Sequence, residues 1–167
     1  IATPGRIVGR NGPLPLDIFN AVIQVNLVGS FNMMRLFAAD LGDADTFEDG
    51  ERGLIVSTAS VAATEGQIGQ AAYAASKGGI VSLTLVAARE FAARGIRVNT
   101  IAPGLIDTPM MAGLPDEARA SLAEQPEFPK RLGRADEYAS LVLHMCENVL
   151  INGTVLRLDG ALRMAAR

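Results

Sequence analysis

Residues 53–60 read GLIVSTAS and form the clearest structural pattern of the sequence. It is a short apolar run with β-branched residues that opens on glycine, and this pattern predicts a buried strand over Gly53–Ala59. A second run, IRVNTIA, covers Ile96–Ala102 and stops at Pro103-Gly104. Between them, the Ala- and Gly-rich segment Ala71–Arg94 predicts a long helix. Strand, helix and strand in this order imply a right-handed crossover and parallel pairing, so we assign the chain to the α/β class.

The carboxyl ends of these two strands carry the candidate chemistry. Ser60 follows the first strand, and Pro103-Gly104 follows the second. In open α/β sheets, ligands bind outside the carboxyl ends of the strands. The loop Val61–Gln70 leads from Ser60 into the helix that carries Tyr73. We therefore expect Ser60, Tyr73 and the Pro103-Gly104 turn to meet at one rim of the sheet.

Tyr73 and Lys77 are four residues apart, which puts them on one face of a helix about one turn apart. A nearby ammonium favours the phenolate, so the pKa of the phenol would fall below its usual value of about 10. Such a tyrosine could exchange a proton with an alcohol or ketone. The spacing also occurs by chance, and the alternative is a packed tyrosine beside a solvated lysine.

With these motifs in place, the chain resembles the short-chain dehydrogenase/reductase family. Members of that family carry a serine, then Tyr-x-x-x-Lys, then Asn-x-x-x-Pro-Gly. Here these are Ser60, Tyr73 to Lys77 and Asn99 to Gly104, and the resemblance covers nearly the whole chain. It implies a Rossmann-like, doubly wound parallel sheet and an oxidoreductase that interconverts a secondary alcohol and a ketone.

Three further stretches resemble the type-2 3-hydroxyacyl-CoA dehydrogenase branch of the family, also called 17β-hydroxysteroid dehydrogenase type 10. They are Thr58–Ala63, Glu65–Tyr73 and Asn152–Ala161. This similarity implies 3-hydroxyacyl-CoA or a hydroxysteroid as substrate. It also implies NAD as cofactor, without excluding NADP.

The resemblance also implies roles for single residues. Tyr73 would transfer the proton, Lys77 would bind the nicotinamide ribose, and Ser60 would donate a hydrogen bond to the substrate oxygen. Asn26 would complete a catalytic tetrad through a water held by its backbone carbonyl. The further cofactor-binding positions are Pro103, Gly104, Ile106 and Thr108. Plainer roles remain open: Ser60 as a cap for the next segment, Thr108 as a helix N-cap, and Asn26 as a helix-packing amide.

The substrate wall is expected from Ala63–Gln70 and from the helical excursion Thr108–Phe128. Within it, Gln67, Gln70 and Met110 are candidate contacts, together with Ser60. Methionine side chains form adaptable apolar surfaces that would suit an acyl chain or a steroid. Surface glutamines without any role are the alternative.

The glycines Gly5, Gly9 and Gly12 are too loosely spaced for a dinucleotide-binding turn, and no predicted strand precedes them. We therefore expect residues 1–167 to be the C-terminal part of a single Rossmann-like domain that lacks its N-terminal nucleotide-binding strands. On its own such a chain would be inactive. The alternative functions are a catalytically silent fragment, or a scaffold or RNA-processing subunit, which is a side role of this branch.

The composition limits the kinds of binding partner that we expect for this chain. The apolar fraction is 49% and the net charge is −3, which gives no electrostatic reason to expect nucleic acid. We expect no membrane association, because no continuous apolar run is long enough to span a bilayer.

The sequence has a single cysteine, Cys146, which we expect to be a small core residue and which suits a reducing, cytoplasmic location. One His and one Cys predict no zinc site. By resemblance, we expect a homo-oligomer, a dimer or tetramer, built on the Ala71–Arg94 helix.

Overall fold

The computed structural model describes residues 1–42 and 44–166, and for Met110 and Ala112 it describes the backbone alone. The strands are β1 (Val8–Gly9), β2 (Gly12–Pro13), β3 (Gly53–Thr58), β4 (Ile96–Pro103) and β5 (Val155–Leu158). The α-helices are α1 (Leu16–Ile23), α2 (Gly29–Asp40), α3 (Ala71–Phe91), α4 (Pro109–Ala112), α5 (Asp116–Ala123) and α6 (Ala135–Glu147). A π-helical segment, Gln24–Val28, joins α1 to α2. Short 3₁₀ turns cover Glu48–Gly50, Val61–Ala63 and Ala92–Arg94.

The main sheet has three parallel strands in the order β3, β4, β5. In its register Gly53 pairs with Ile96 and Thr58 pairs with Ile101, while Thr100 pairs with Val155. The strand–helix–strand order predicted from the sequence is therefore confirmed. Because all three strands are parallel, their carboxyl ends lie at one rim.

Helices cover both faces of β4. Val98 packs with Met34, Ala87 and Ala88, which belong to α2 and α3. On the other face, the Arg97 guanidinium donates to the carbonyl oxygen of Met145 in α6 at 2.8 Å. Every residue of β4 except the last is buried. A strand buried on both faces is typical of a doubly wound α/β sheet, so the predicted fold class is confirmed.

The opposite edge of β3 has no partner strand within residues 1–42 and 44–166. Apolar side chains from the preceding helices stand exposed beside it. They include Val25, Met33 and Phe37, with 55%, 68% and 40% of their surfaces exposed. A strand edge and an apolar surface of this kind are normally covered by another element.

Helix α3 and its 3₁₀ extension form the stretch Ala71–Arg94, which by length and mean hydropathy could cross a membrane. A core helix passes the same test. Here Ile80, Thr84 and Ala87 are buried, and the Thr84 hydroxyl lies 2.6 Å from that of Thr100 in β4. The helix packs on the sheet by these contacts.

Two details differ from the sequence expectations. Residues 1–13, where the sequence predicted no strand before the glycines, contain the two-residue strands β1 and β2, paired antiparallel. The prediction of a core role for Cys146 was wrong, because this residue is exposed on α6. Its neighbour Met145 takes the buried position on the helix face that meets Arg97.

Candidate active site

Tyr73 and Lys77 lie side by side on α3, as their spacing predicted. The Lys77 Nζ atom is 5.7 Å from the centre of the Tyr73 ring, and both residues are half-buried. Nζ donates a hydrogen bond of 2.8 Å to the carbonyl oxygen of Thr58, the last residue of β3. Burial lowers the pKa of the Lys77 ammonium, because the charged form is disfavoured where water is excluded. The lysine is thus held at the carboxyl end of β3 and near the phenol.

Asn26 connects the preceding helix to α3. It lies in the π-helical segment, and its side-chain amide donates to the Ser76 hydroxyl at 3.0 Å. That hydroxyl donates to the backbone carbonyl of Tyr73 at 2.7 Å. The amide also hydrogen-bonds the backbone of Ile1. Since Asn26, Ser76 and Tyr73 form one chain of hydrogen bonds, the helix-packing role that the sequence left open is present.

The backbone carbonyl of Asn26, expected to hold a water, accepts a hydrogen bond of 2.7 Å from the Ser30 hydroxyl. A carbonyl oxygen has two lone pairs, so the bond from Ser30 does not by itself exclude a water on the same oxygen. π-Helical segments inside longer helices occur frequently at functional sites, because the extra residue redirects backbone groups. The geometry at Asn26 is compatible with the predicted role and leaves that role a prediction.

Ser60 caps the 3₁₀ turn Val61–Ala63. Its Oγ accepts a hydrogen bond of 3.1 Å from the Ala62 amide. A hydroxyl carries one donor and two lone pairs, so its hydrogen stays available for a substrate oxygen. The last residue pair between β3 and β4 is Thr58 with Ile101. Ser60 follows Thr58 by two residues, and Pro103 follows Ile101 by two residues. The capping role and the predicted contact with substrate are therefore compatible.

The Pro103-Gly104 turn is held against the end of β5. The Gly104 amide donates to the Leu158 carbonyl at 3.0 Å. A Cβ atom at Gly104 would lie 2.8 Å from the Cβ of Asp159, a distance that side chains do not tolerate. Only glycine lets the two segments approach this closely.

Ile106 and Thr108 follow the turn. Ile106 forms an isolated parallel bridge with Gly133. Thr108 occupies the N-cap position of α4, but its hydroxyl makes no capping hydrogen bond. Thr108 therefore stands at the N-cap position that we gave as its alternative role, but its hydroxyl does not cap the helix.

Gln67 and Gln70 fold the loop that precedes α3. The Gln70 Oε1 accepts from the Gln67 backbone amide at 3.0 Å, and the Gln67 Nε2 donates to the Ala165 carbonyl at 3.0 Å. These contacts give both glutamines a structural role, and a contact with substrate stays a prediction. The predicted contact of the Met110 side chain lies outside the residues that the structure describes.

A groove with a volume of about 700 Å³ follows the unpaired edge of β3. Asn26, Thr58 and Lys77 line it together with the apolar residues of α2. Gln67 and Gln70 line a different cavity, against Arg6, Ile7 and Val8. The structure thus brings the lysine and the asparagine together in one groove and sets the loop glutamines apart from it.

Sequence reasoning missed two contributors. The Thr58 carbonyl holds Lys77, and the Thr58 hydroxyl lies 2.6 Å from the Tyr138 hydroxyl of α6. The position of Thr58 near the end of the predicted strand Gly53–Ala59 was the available signal, and nothing in the sequence pairs it with Tyr138. Among the residues described, no group of three or more His, Cys, Asp or Glu could hold a metal ion.

Several groups of this site suit a nicotinamide cofactor. The Lys77 ammonium has three N–H donors, and one of them is used by the Thr58 carbonyl. The other donors are available for the two hydroxyls of a ribose. The Thr108 hydroxyl and the backbone of the Pro103-Gly104 turn could hold a planar amide ring. Tyr73 and Lys77 lie together on α3, and Ser60 follows the end of β3. Their joint part in proton transfer to a carbonyl oxygen stays a prediction.

Comparison with known proteins settles the family. A family profile described as enoyl-(acyl carrier protein) reductase matches residues 3–162. The chain belongs to the short-chain dehydrogenase/reductase family. It is 57% identical over 149 residues to 3-hydroxyacyl-CoA dehydrogenase type-2 of Bos taurus, which covers 89% of this chain and 57% of the relative. The predicted family and branch are confirmed.

Two solved structures of the family are also similar. The crystal structure of 3-hydroxyacyl-CoA dehydrogenase type-2 from Mycobacterium avium superimposes with a TM-score of 0.96 at 48% identity, covering 100% of this chain and 65% of that one. A 3-oxoacyl-[acyl-carrier protein] reductase with bound NAD from Brucella melitensis has a TM-score of 0.76 at 32% identity, covering 91% of this chain and 54% of that one. The chain spans somewhat less than two thirds of these relatives.

Proposed function

We propose that this chain carries the proton-transferring part of a nicotinamide-dependent oxidoreductase that interconverts a 3-hydroxyacyl-CoA and a 3-ketoacyl-CoA. The observation that carries the proposal is the Lys77 ammonium held beside the Tyr73 ring at the carboxyl rim of the sheet. The names of the Bos taurus and Mycobacterium avium relatives support the acyl-CoA substrate. A hydroxysteroid is the alternative substrate.

The chemistry at the substrate oxygen belongs to three side chains of this protein. In the reductive direction the Tyr73 hydroxyl gives its proton to the carbonyl oxygen as that oxygen becomes an alkoxide. The Ser60 hydroxyl donates a hydrogen bond to the same oxygen, where negative charge develops. The Lys77 ammonium stabilises the negative charge left on the tyrosine oxygen. In the oxidative direction the proton returns to Tyr73.

A nicotinamide cofactor supplies or accepts the hydride when it is bound. Lys77, the Pro103-Gly104 turn, the Ile106 backbone and the Thr108 hydroxyl would hold it. We propose NAD, which is the cofactor bound in the Brucella melitensis reductase, and NADP is the alternative. The choice between NAD and NADP is tested by comparing the rates of acetoacetyl-CoA reduction with NADH and with NADPH at equal concentration.

The open groove along β3 favours a second proposal for residues 1–167 on their own. Asn26, Thr58 and Lys77 line this groove, and its other wall is missing among the described residues. A cofactor needs enclosure by two walls to lose most of its contact with water. We therefore propose that the 167-residue chain alone is catalytically silent.

The experiment compares two purified proteins. One is the 167-residue chain, and the other is a chimera in which residues 1–167 replace the matching part of the Mycobacterium avium protein. Oxidation of NADH with acetoacetyl-CoA is followed at fixed protein concentration. We expect turnover by the chimera and none by the chain alone. A chimera that folds, binds NADH and does not turn over would contradict the oxidoreductase proposal. Turnover by the chain alone would contradict the second proposal.

We also propose that the protein associates with copies of itself through α3 and the helix before it. Exposed apolar side chains on these helices support this, among them Val28, Phe31 and Val86, with 42%, 47% and 52% of their surfaces exposed. Sedimentation of the chimera would test it. A dimer or tetramer is expected, and a monomer at micromolar concentration would contradict it.

A further inference from the structure

Arg157, on β5, sits at the centre of an ion-pair cluster outside the proton-transfer site. Its Nη1 donates to the Glu65 carboxylate at 2.8 Å, and its Nε donates to the Asp159 carboxylate at 2.8 Å. Its Nη2 donates to the backbone carbonyl of Leu162 at 3.0 Å. One guanidinium therefore joins a loop, a strand and the C-terminal segment of the described chain.

The C-terminal segment 160–166 is laid against the loop 64–70. The second oxygen of Glu65 accepts from the Met164 amide at 3.0 Å. Further along, the Ile68 amide donates to the Ala166 carbonyl at 3.0 Å. Leu162 is completely buried and anchors the segment. The loop thus depends on this segment for its position, and the segment depends on Glu65 and Arg157.

The other side of the cluster reaches the predicted cofactor turn. Asp159, whose side chain is 9% exposed, packs against Gly104 so closely that a Cβ atom at that glycine would not fit. Glu65 belongs to the stretch Ala63–Gln70 that we predict as the substrate wall. Arg157 consequently lies between the element expected to hold the nicotinamide and the element expected to hold the substrate.

Removing the guanidinium would change the charge balance of the cluster. Glu65 and Asp159 would then face each other with Arg163 as their nearest cation, at 3.7 Å and 3.6 Å. Arg163 has 68% of its side chain exposed, so solvent weakens its attraction. Two half-buried carboxylates without a buried cation beside them repel each other, and each becomes more stable when it is exposed to water. The loop is the element free to move, because β5 is fixed in the sheet.

We propose that Arg157 is a positioning residue that braces the loop 64–70 against the Pro103-Gly104 turn and thereby sets the affinity for the acyl-CoA substrate. The part concerning affinity rests on the proposed function. The brace itself concerns only this chain and can be measured without any activity.

The test of the brace is amide hydrogen exchange in the 167-residue chain, with Arg157→Gln compared with the unchanged protein. We expect the amides of Ile68 and Met164 to exchange at least ~10-fold faster, while those of Val98 and Ile101 in β4 stay protected. Arg134→Gln is the matched control, because Arg134 also forms two ion pairs, with Asp136 and Glu137, neither of which belongs to the loop 64–70. Unchanged protection at Ile68 and Met164, or equal loss throughout β4, would overturn the brace.

Three further variants test whether Glu65 and Arg157 act as one pair. Glu65→Gln should raise exchange at the same two amides, and the double variant should add little to either single change, because both remove one interaction. Arg157→Lys keeps the charge without the planar fork and should restore part of the protection. Additive effects in the double variant would contradict a direct link between Glu65 and Arg157.

The effect on affinity is read in the chimera with acetoacetyl-CoA. We expect Arg157→Gln to raise KM by ~3- to 10-fold and to change kcat by less than ~2-fold, since the loop binds substrate and does not transfer the proton. A fall in kcat at constant KM would overturn the affinity part. A chimera inactive in every form would count against the proposed function, and the exchange result would still decide the brace.

Discussion

Lys77 Nζ donates its 2.8 Å hydrogen bond to a backbone carbonyl, that of Thr58, and not to a carboxylate. The lysine is therefore oriented by a neutral group at the carboxyl end of β3, and its positive charge stays available to the Tyr73 oxygen. A carboxylate partner would have neutralised that charge. This pairing gives the rim of the sheet an oriented cation next to a phenol.

Lys77→Met separates function from stability. Burial lowers the pKa of Lys77, so protonation of this residue opposes folding. That cost is present below the folded pKa and fades as the pH rises toward the unfolded value near 10.5. The variant should therefore be at least as stable as the unchanged chain at pH 7, as measured by urea unfolding. In the chimera it should lose about 10²-fold or more in kcat. Full activity with methionine would show that the cation is dispensable.

Asn26→Ala should destabilise the 167-residue chain. It removes the donor to the buried Ser76 hydroxyl and loosens the contact between the π-helical segment and α3. We expect a loss of about 1–3 kcal/mol in the free energy of unfolding. Asn32→Ala is the control, because Asn32 accepts only an exposed bond from Arg35. Equal small losses for both variants would mean that the Asn26 amide does not hold the helices together.

Gly104→Ala tests the close approach of the Pro103-Gly104 turn to the end of β5. The added methyl group would stand 2.8 Å from the Asp159 Cβ, and the turn would have to move. We expect a loss of about 1–3 kcal/mol of stability, typical of overpacking, and weaker NADH binding by the chimera. Gly29→Ala is the control, since its methyl would meet its nearest neighbour at an ordinary 3.6 Å. Unchanged stability of the Gly104 variant would refute the steric argument.

Glu137 should govern part of the acid stability. The Arg131 guanidinium and the Arg134 amide hold the pKa of this carboxyl at about 2, well below the ordinary 4.5. A carboxyl with a lowered pKa stabilises the fold above its unfolded value, and this contribution disappears as the pH falls from about 4.5 to about 2. The urea concentration at the unfolding midpoint should therefore decrease less with falling pH in Glu137→Gln than in the unchanged protein. Glu147→Gln, the same change at an exposed residue of α6, is the control, and equal profiles for the two variants would contradict the role of Glu137.

The elements that build the site could be predicted from the sequence because their signals are local. The apolar, β-branched runs before Ser60 and Pro103 predicted β3 and β4, and the spacing of Tyr73 and Lys77 predicted their proximity on α3. Parallel pairing then followed from chain order. These inferences needed no knowledge of distant contacts.

What the sequence could not predict depends on contacts between distant segments. The Asn26–Ser76 hydrogen bond, the Thr58–Tyr138 hydrogen bond and the Arg157 cluster each join residues far apart in the chain. The prediction for Cys146 failed for the same reason. An apolar stripe on α6 indicates a buried face, but Cys146 lies beside that stripe, and only packing against β4 reveals this.

We propose that Tyr73 transfers the proton to and from the substrate oxygen. The kcat of Tyr73→Phe in the chimera, with NADH binding measured in parallel by fluorescence, tests this role. We predict that kcat falls by about 10²–10⁴-fold while the Kd for NADH changes by less than ~3-fold. Tyr138→Phe, which removes only the hydroxyl next to Thr58, should keep most of the turnover. Near-normal kcat without the Tyr73 hydroxyl, or equal loss of binding and turnover, would contradict the claim.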